Sequence, residues 1–144
     1  MGDARDPFDL ERFVVAQDGT YDAVLRELRS GRKTGHWIWF VFPQVAGLGT
    51  SAMSVRYALS GIEEAKAYLG HPVLAPRLLE ACDALLVHAD RSADAILGSV
   101  DARKVQSSMT LFHRADPEEP EFLRVLDSCY AGATDPRTDD LLRG

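Results

Sequence analysis

Cysteine, long apolar runs and alternating polar–apolar segments are all scarce in this 144-residue chain. The two cysteines, Cys82 and Cys129, have no CxxC spacing, which favours buried free thiols over a disulfide framework. The longest unbroken apolar run, Trp37 to Pro43, is far too short to span a bilayer. The segment MGDARDPFDL has no basic stretch followed by an apolar one, so a secretory signal is not predicted. We therefore expect a reduced, cytoplasmic protein without a membrane segment.

Positive charge is also in the minority. The 16 Lys and Arg residues face 22 Asp and Glu residues, which gives a net charge of −6. Nonspecific binding of nucleic acid depends on Lys and Arg neutralising phosphates, so nucleic acid is not an expected partner. The hydrophobic content of 46% and charged content of 26% are typical of a globular protein. The length predicts a single domain over residues 1–144, with its core between about residues 8 and 142.

Motifs of metal and cofactor chemistry are missing as well. The four histidines do not form the HxxxH or HExxH spacing that places two ligands on one helical face. There is no GxSxG elbow, Walker A lysine or recognisable Cys/His nucleophile. Residues 47–52 fit a loose dinucleotide-binding pattern, but that motif needs a preceding strand and a surrounding sheet. Neither a metal nor a cofactor is predicted, and plain turn chemistry is favoured for the Gly-rich loop over backbone binding of an anion.

Helical periodicity, by contrast, is abundant. Val24, Leu25 and Leu28 follow helical spacing before Gly31, and similar stripes recur along the chain. Ser92 and Ser99 are predicted N-caps, and Ser60-Gly-Ile-Glu63 reads as a capping box. Residues 36–44 could form a buried strand or a buried helix, and a helix is favoured because no partner strand is predicted. The prediction is a compact all-α array of about seven or eight short helices.

One predicted helix carries polar residues on its apolar side. At about 100° per residue, Asp101, Lys104 and Ser108 fall within the stripe that includes Val105 and Met109. An amphipathic helix normally keeps charge on the opposite face, because an unpaired buried charge is costly. The pattern therefore predicts either an internal Asp101–Lys104 ion pair or a polar pocket set into the core.

Other polar and aromatic residues on separate predicted helices fit the same pocket. Each residue alone is explained as a core residue whose polar groups have internal partners. Together, however, these residues suit a concave site with aromatic walls. Lys104 and Arg77 would meet negative charge, and Asp101 would orient Lys104 or act as a base. The serine hydroxyls would donate hydrogen bonds, and a tryptophan would stack on the ligand. The candidate ligand-binding residues are Gln17, His36, Trp37, Trp39, Gln44, Ser51, Tyr57, His71, Arg77, Lys104, Ser107 and Ser108, and the candidate catalytic residues are Asp101 and Lys104.

Three long strings carry a family resemblance: HWIWFVFPQVAGLGTSAMS, YALSGIEEAKAYLGHPVLAPRL and ILGSVDARKVQSSMTLF. In this order they resemble the DUF1810 family, over about Phe8 to Leu142. That family consists of small proteins without an established activity, sometimes labelled calpastatin-like. The resemblance implies a compact all-helical array and leaves the chemistry open. Calpastatin's inhibitory regions are disordered, whereas this composition is that of a folded globule, so the label finds no support.

Two functions follow from these observations. The first is a pocket that binds, and in an enzyme would process, a small anionic or nucleotide-like metabolite. The second is a protein–protein interaction module whose Asp101–Lys104 pair only fixes helix packing. The two differ in whether the polar side chains converge on one solvent-reachable cavity. The sequence predicts neither the identity of a ligand or partner nor the oligomeric state.

Overall fold

The computed structural model describes residues 6–88 and 90–144, which fold entirely as helices and connecting loops. Within these ranges the only β pairing is an isolated parallel bridge between Val45 and Leu59. Residues 1–5, part of the segment considered for a secretory signal, and residue 89, part of the predicted domain, lie outside the described ranges. The helices are α1 (Glu11–Asp18), α2 (Tyr21–Ser30), α3 (Ile38–Val41), α4 (Ala52–Arg56), α5 (Ile62–Leu69), α6 (Leu74–Leu86), α7 (Ala93–Leu97), α8 (Ser99–Ala115), α9 (Pro120–Tyr130) and α10 (Pro136–Arg143).

The strongest apolar stripe in the sequence forms a helix as predicted. In α2, Val24, Leu25 and Leu28 are buried on one side. The helix ends at Gly31, whose φ of 78° lies in the left-handed region that glycine adopts at low cost. Its N–H bonds back to the carbonyls of Glu27 and Leu28, which satisfies the end of the helix.

The ambiguous apolar segment is a short helix, which confirms the prediction. Residues 38–41 form the single turn of α3, and the flanking Trp37 and Phe42 are 1% and 0% exposed. Because no strand among the described residues precedes Gly47, the dinucleotide-binding interpretation of the glycine-rich loop stays excluded.

The number of helices and two of their starting points differ from the prediction. The described ranges hold ten helices, not seven or eight, because single turns such as α3 and α4 are too short to show a periodicity. The N-cap of α8 is Gly98, with φ 84°, and Ser99 is the first helical residue. In the predicted capping box, Glu64, not Glu63, accepts the Ser60 N–H at 2.8 Å, because α5 begins at Ile62. The predicted cap at Ser92 is confirmed by its bond from the Ala95 N–H at 3.1 Å.

Helix α8 runs through the middle of the hydrophobic core. It packs against α5, α7, α9 and α10, and Val105, Met109 and Phe112 are fully buried along it. The Cys82 thiol of α6 lies 3.7 Å from the Met109 sulfur, and both cysteines are free. None of the helices in the described ranges is long and apolar enough to cross a membrane.

Candidate functional site

The polar residues of α8 lie at the border of the core, near the N-terminal half of the helix. The side chains of Asp101 and Lys104 are 20% and 23% exposed, whereas Ser107 and Ser108 are buried. Ser107 donates to the Asp135 carboxylate at 2.7 Å. The Ser108 hydroxyl has no hydrogen-bond partner among the described residues. The polar groups at 101–104 are therefore partly open to solvent, whereas the hydroxyls of Ser107 and Ser108 are buried.

Asp101 is held by two ammonium groups. Lys33 Nζ lies 2.6 Å from one carboxylate oxygen, and Lys104 Nζ lies 3.7 Å from the other. The predicted Asp101–Lys104 contact exists, but the shorter and more buried contact is with Lys33, whose side chain is only 6% exposed. Two positive charges facing one negative charge leave this cluster with an excess positive charge beside α8.

Trp37 belongs to the support of this cluster. Its ring lies beneath Lys33 Nζ, with 4.9 Å between the nitrogen and a ring centroid, a cation–π arrangement. Its indole N–H donates to Glu27 at 3.1 Å, and the same carboxylate oxygen accepts the N–H groups of Thr34 and Gly35. Burial raises the pKa of Glu27, but these hydrogen bonds outweigh burial, so the pKa lies below its ordinary value. Trp37 is thus occupied by internal partners.

Trp39 stands beside Lys104. The lysine Nζ lies 5.2 Å from the indole ring centroid. The indole N–H is buried and has no partner among the described residues. The ring and Asp101 together hold the Lys104 ammonium in place.

A cleft of about 360 Å³ opens next to Lys104. It forms where the loop after α3, the exposed side of α8 and the segment leading into α10 meet. The lining residues are Gln44, Leu48, Gly49, Ser54, Val100, Arg103, Lys104, Gln106, Ser107, Asp135 and Arg137.

The charges that line this cleft are mainly positive. Arg103, Lys104 and Arg137 contribute three cations, and Asp135 contributes the single carboxylate. Within residues 6–88 and 90–144, neither arginine forms an ion pair with a carboxylate. Asp135 accepts hydrogen bonds from the hydroxyls of Ser107 and Thr138, each at 2.7 Å. The Asp135 carboxylate therefore faces donors of the protein, and neither arginine is paired with it.

A second cleft, of about 380 Å³, adjoins the first. Gln44, Gly49 and Ser54 line both spaces. None of the residues that line the second cleft is charged. They are Gln44, Val45, Ala46, Gly47, Gly49, Thr50, Ser54, Val55 and Ala58.

Three of the residues predicted for the site line the first cleft: Gln44, Lys104 and Ser107. Ser51 lies on the same loop but is exposed and caps α4, where its hydroxyl accepts the Ser54 N–H at 3.1 Å. Trp39, which lies beside Lys104, does not line either cleft.

Gln17 and Arg77 form a separate internal network with each other. The Gln17 amide donates to the Phe40 carbonyl at 2.6 Å and accepts from Arg77 at 3.3 Å. Arg77 also pairs with Asp18 at 3.0 Å, and the Tyr68 hydroxyl lies 3.3 Å from the Gln17 amide nitrogen. Burial raises the pKa of Tyr68, which is therefore a neutral phenol in this network. The network links α1 to α3, α5 and α6 and does not line either cleft.

The other predicted residues lie apart from the clefts. Tyr57 is buried against Phe13, with ring centroids 5.6 Å apart. His71 Nδ1 accepts the N–H of Leu74 at 3.2 Å and so caps the start of α6. His36 is exposed. Ser108 is fully buried and lines neither cleft. Within the described ranges, no group of three or more His, Cys, Asp and Glu side chains is arranged to hold a metal ion.

Four charged residues of the site were missed by sequence reasoning: Lys33, Arg103, Asp135 and Arg137. Lys33 and Arg137 come from segments far from α8 in sequence, so no local pattern connects them to it. Arg103 lies on the exposed side of α8, where a cation is usually just a solvated residue. Asp135 could have been found, because Asp135-Pro136 is a typical start of a helix, and the Asp135 side chain does accept the Arg137 N–H.

The fold and the site define an all-α protein with a cationic cleft on its central helix. The chain belongs to the DUF1810 family, described as a protein of unknown function, whose model matches residues 7–142. Its structure is similar to the crystal structure of a conserved hypothetical protein from Mycobacterium tuberculosis. The two chains are 50% identical, the match covers 96% of this chain and 99% of that one, and the TM-score is 0.94. No curated protein matches the chain.

Proposed function

We propose that this protein binds a small anionic metabolite in the cleft between α8 and the loop after α3. The observation that carries the proposal is the pair of arginines, Arg103 and Arg137, which line a concave surface without a carboxylate partner in the described ranges. Arginine offers a planar fork of N–H donors that matches carboxylate and phosphate groups. The cleft volume of about 360 Å³ lies within the range of small-molecule sites.

The charge of the whole chain strengthens this proposal. A protein with a net charge of −6 repels anions over most of its surface, so three cations in one cleft create a local exception. Gln44 and Ser54 add neutral hydrogen-bonding groups to the same lining. Charge and donors together select a polar anion over a neutral ligand.

Asp101 acts in this proposal as a positioning residue. Its carboxylate is engaged by Lys33 at 2.6 Å and Lys104 at 3.7 Å, which keeps Lys104 at the edge of the cleft. Both of its oxygens face ammonium groups and Asp101 does not line the cleft, so these contacts support binding over proton transfer to or from a ligand. The protein–protein interaction module stays the alternative predicted from the sequence.

The test is a thermal-shift screen with inorganic phosphate, sugar phosphates and mononucleotides, followed by calorimetric titration of the ligands that raise the melting temperature. A ligand that binds only the native state raises that temperature. Arg103→Gln and Arg137→Gln should each weaken binding about tenfold or more, since a charge-assisted hydrogen bond contributes roughly 1.5–3 kcal/mol.

Arg26→Gln is the matched control, because Arg26 is an exposed arginine on α2 that lines neither cleft. It removes the same net charge and should leave the affinity nearly unchanged. Equal losses of affinity in all three variants would show that only the overall charge of the protein matters. If no phosphate compound binds, the interaction module is favoured.

A further inference from the structure

We infer that the cationic cleft and the adjoining uncharged cleft hold a single amphipathic ligand, an aliphatic acid. Its phosphate or carboxylate group lies at Arg103, Lys104 and Arg137, and its aliphatic portion lies along Val45, Val55 and Ala58. This inference rests on the proposed anion site and specifies the class of molecule that the site takes.

The two clefts lie side by side and share part of their lining. Gln44, Gly49 and Ser54 line both of them. At Gly49 a Cβ atom would lie 2.5 Å from the Ser54 hydroxyl oxygen and 2.6 Å from its Cβ. Any side chain at position 49 would therefore push the loop and α4 apart. The absence of a side chain lets the loop lie against α4, and a ligand in the inferred pose crosses the lining that the two clefts share.

The second cleft offers apolar contact without charge. Aliphatic side chains line it, and Val55 remains 65% exposed there. Val100, which is 67% exposed, stands at the edge of the cationic cleft. These are among the most exposed large apolar side chains of the described residues, and a ligand chain lying over them would remove that surface from water.

The lining also argues against a flat aromatic ligand. Neither cleft is lined by a Phe, Tyr, Trp or His side chain. Trp37 and Tyr57 are buried and make internal contacts, so they cannot stack on a nucleobase. Of the aromatic residues predicted for the site, Trp37 and Tyr57 are thus directed inward, and the half-buried Trp39 lines neither cleft. The lining therefore favours an aliphatic acid over a nucleotide-like ligand.

The test is a calorimetric titration with inorganic phosphate and with methyl, butyl and hexyl phosphate, repeated with acetate, pentanoate and heptanoate. The affinity should rise by about fourfold for each methylene group that becomes buried, and it should level off once the second cleft is filled. A rise in either series supports the inference, and the series that binds more tightly identifies the acidic group.

Val55→Asn should flatten this dependence on chain length while leaving the affinity for inorganic phosphate unchanged. Val15→Asn is the matched control, because Val15 is 66% exposed on α1 and lines neither cleft. The Val15→Asn variant should retain the full dependence of affinity on chain length. If phosphate binds but longer chains bind no better, or if Val55→Asn keeps the full dependence, the aliphatic part of the inference is wrong and the anion site stands. If no phosphate or carboxylate binds, the anion site itself is wrong.

Discussion

Among the charged residues around Asp101, Lys33 is the one that the sequence least reveals. Its ammonium group is 2.6 Å from Asp101, and its side chain is 6% exposed. The sequence places Asp101 and Lys104 on one helical face, which correctly predicts their contact. It does not reveal that a third charge reaches the same carboxylate from the loop after α2. Such a contact is set by how the loop packs on α8, and helical periodicity contains no information on that packing.

We expect Lys33 and Asp101 to be more strongly coupled than Lys104 and Asp101. Removing one member of a buried pair strands the other charge, which typically costs about 3–5 kcal/mol, and the partial exposure of Asp101 reduces that cost. The more exposed Lys104, at 3.7 Å, should show a coupling below about 1 kcal/mol. Two double-mutant cycles measured by urea denaturation give both coupling energies. One combines Asp101→Leu with Lys33→Met, and the other combines Asp101→Leu with Lys104→Met. A larger coupling for Lys104 would contradict the geometry.

Ser107 and Ser108 are adjacent but should respond in opposite ways to alanine. The Ser108 hydroxyl is buried without a partner, so Ser108→Ala strands nothing and should leave stability unchanged or raise it by about 1 kcal/mol. Ser107 bonds to Asp135 at 2.7 Å, and Ser107→Ala should lower the unfolding free energy by about 1–2 kcal/mol. Thermal and urea unfolding of the two variants provide the comparison. A clear loss of stability in Ser108→Ala would show that its hydroxyl has a partner in solution.

At the scale of elements, the helices differ in how far the sequence predicts them. The stripes of α2 and the cap of α7 are visible because 3.6-residue spacing and a Ser N-cap are local properties. The single turns α3 and α4 are harder to predict, because they are too short to show a periodicity. The predicted start of α8 was wrong by one residue. The cleft could not be predicted from local patterns, because it joins the loop after α3, the N-terminal half of α8 and the start of α10.

The contact between α6 and α9 should make stability depend on pH. Burial, followed by the neighbouring Asp83 carboxylate, raises the pKa of Glu121 to about 7. An unfolded chain loses this proton near pH 4.5, so between about pH 4.5 and 7 the folded state binds more protons. The contribution to stability is therefore present at low pH and is lost as the pH rises through 7.

Glu121→Gln, which mimics the protonated acid, should remove this loss and stabilise the protein by about 1–2 kcal/mol at pH 8 relative to the wild type. At pH 4.5 the two proteins should be nearly equal in stability. Urea denaturation across this pH range measures the effect, and Glu118→Gln, at an exposed position just before α9, is the control. If the difference in unfolding free energy between the wild type and Glu121→Gln moved in favour of the wild type from pH 5 to 8, the raised pKa of Glu121 would be contradicted.

At the scale of the whole molecule, the sequence predicts an all-α fold more successfully than the position of its site. The prediction of seven or eight helices on one core is close to the observed ten, since amphipathic stripes are repeated along the chain. Of the predicted site residues, Gln44, Lys104 and Ser107 do line the cleft. Gln17 and Arg77 looked similar in sequence but satisfy each other internally, and only tertiary contacts distinguish these two cases.

The way α10 is attached has a consequence for binding. Thr138 is the one buried residue of this helix, and the docking of α10 on α8 depends largely on polar contacts such as Asp135 with Ser107 and Arg114 with Asp139. Elements with so little buried surface open locally at a lower free energy than the global unfolding reaction. Because Arg137 lies on α10, it moves with this helix whenever the helix opens locally. In the proposed site, the apparent affinity for an anion would therefore include a term for the closed population of the C-terminal helix, so that local folding and ligand binding would form one thermodynamic cycle.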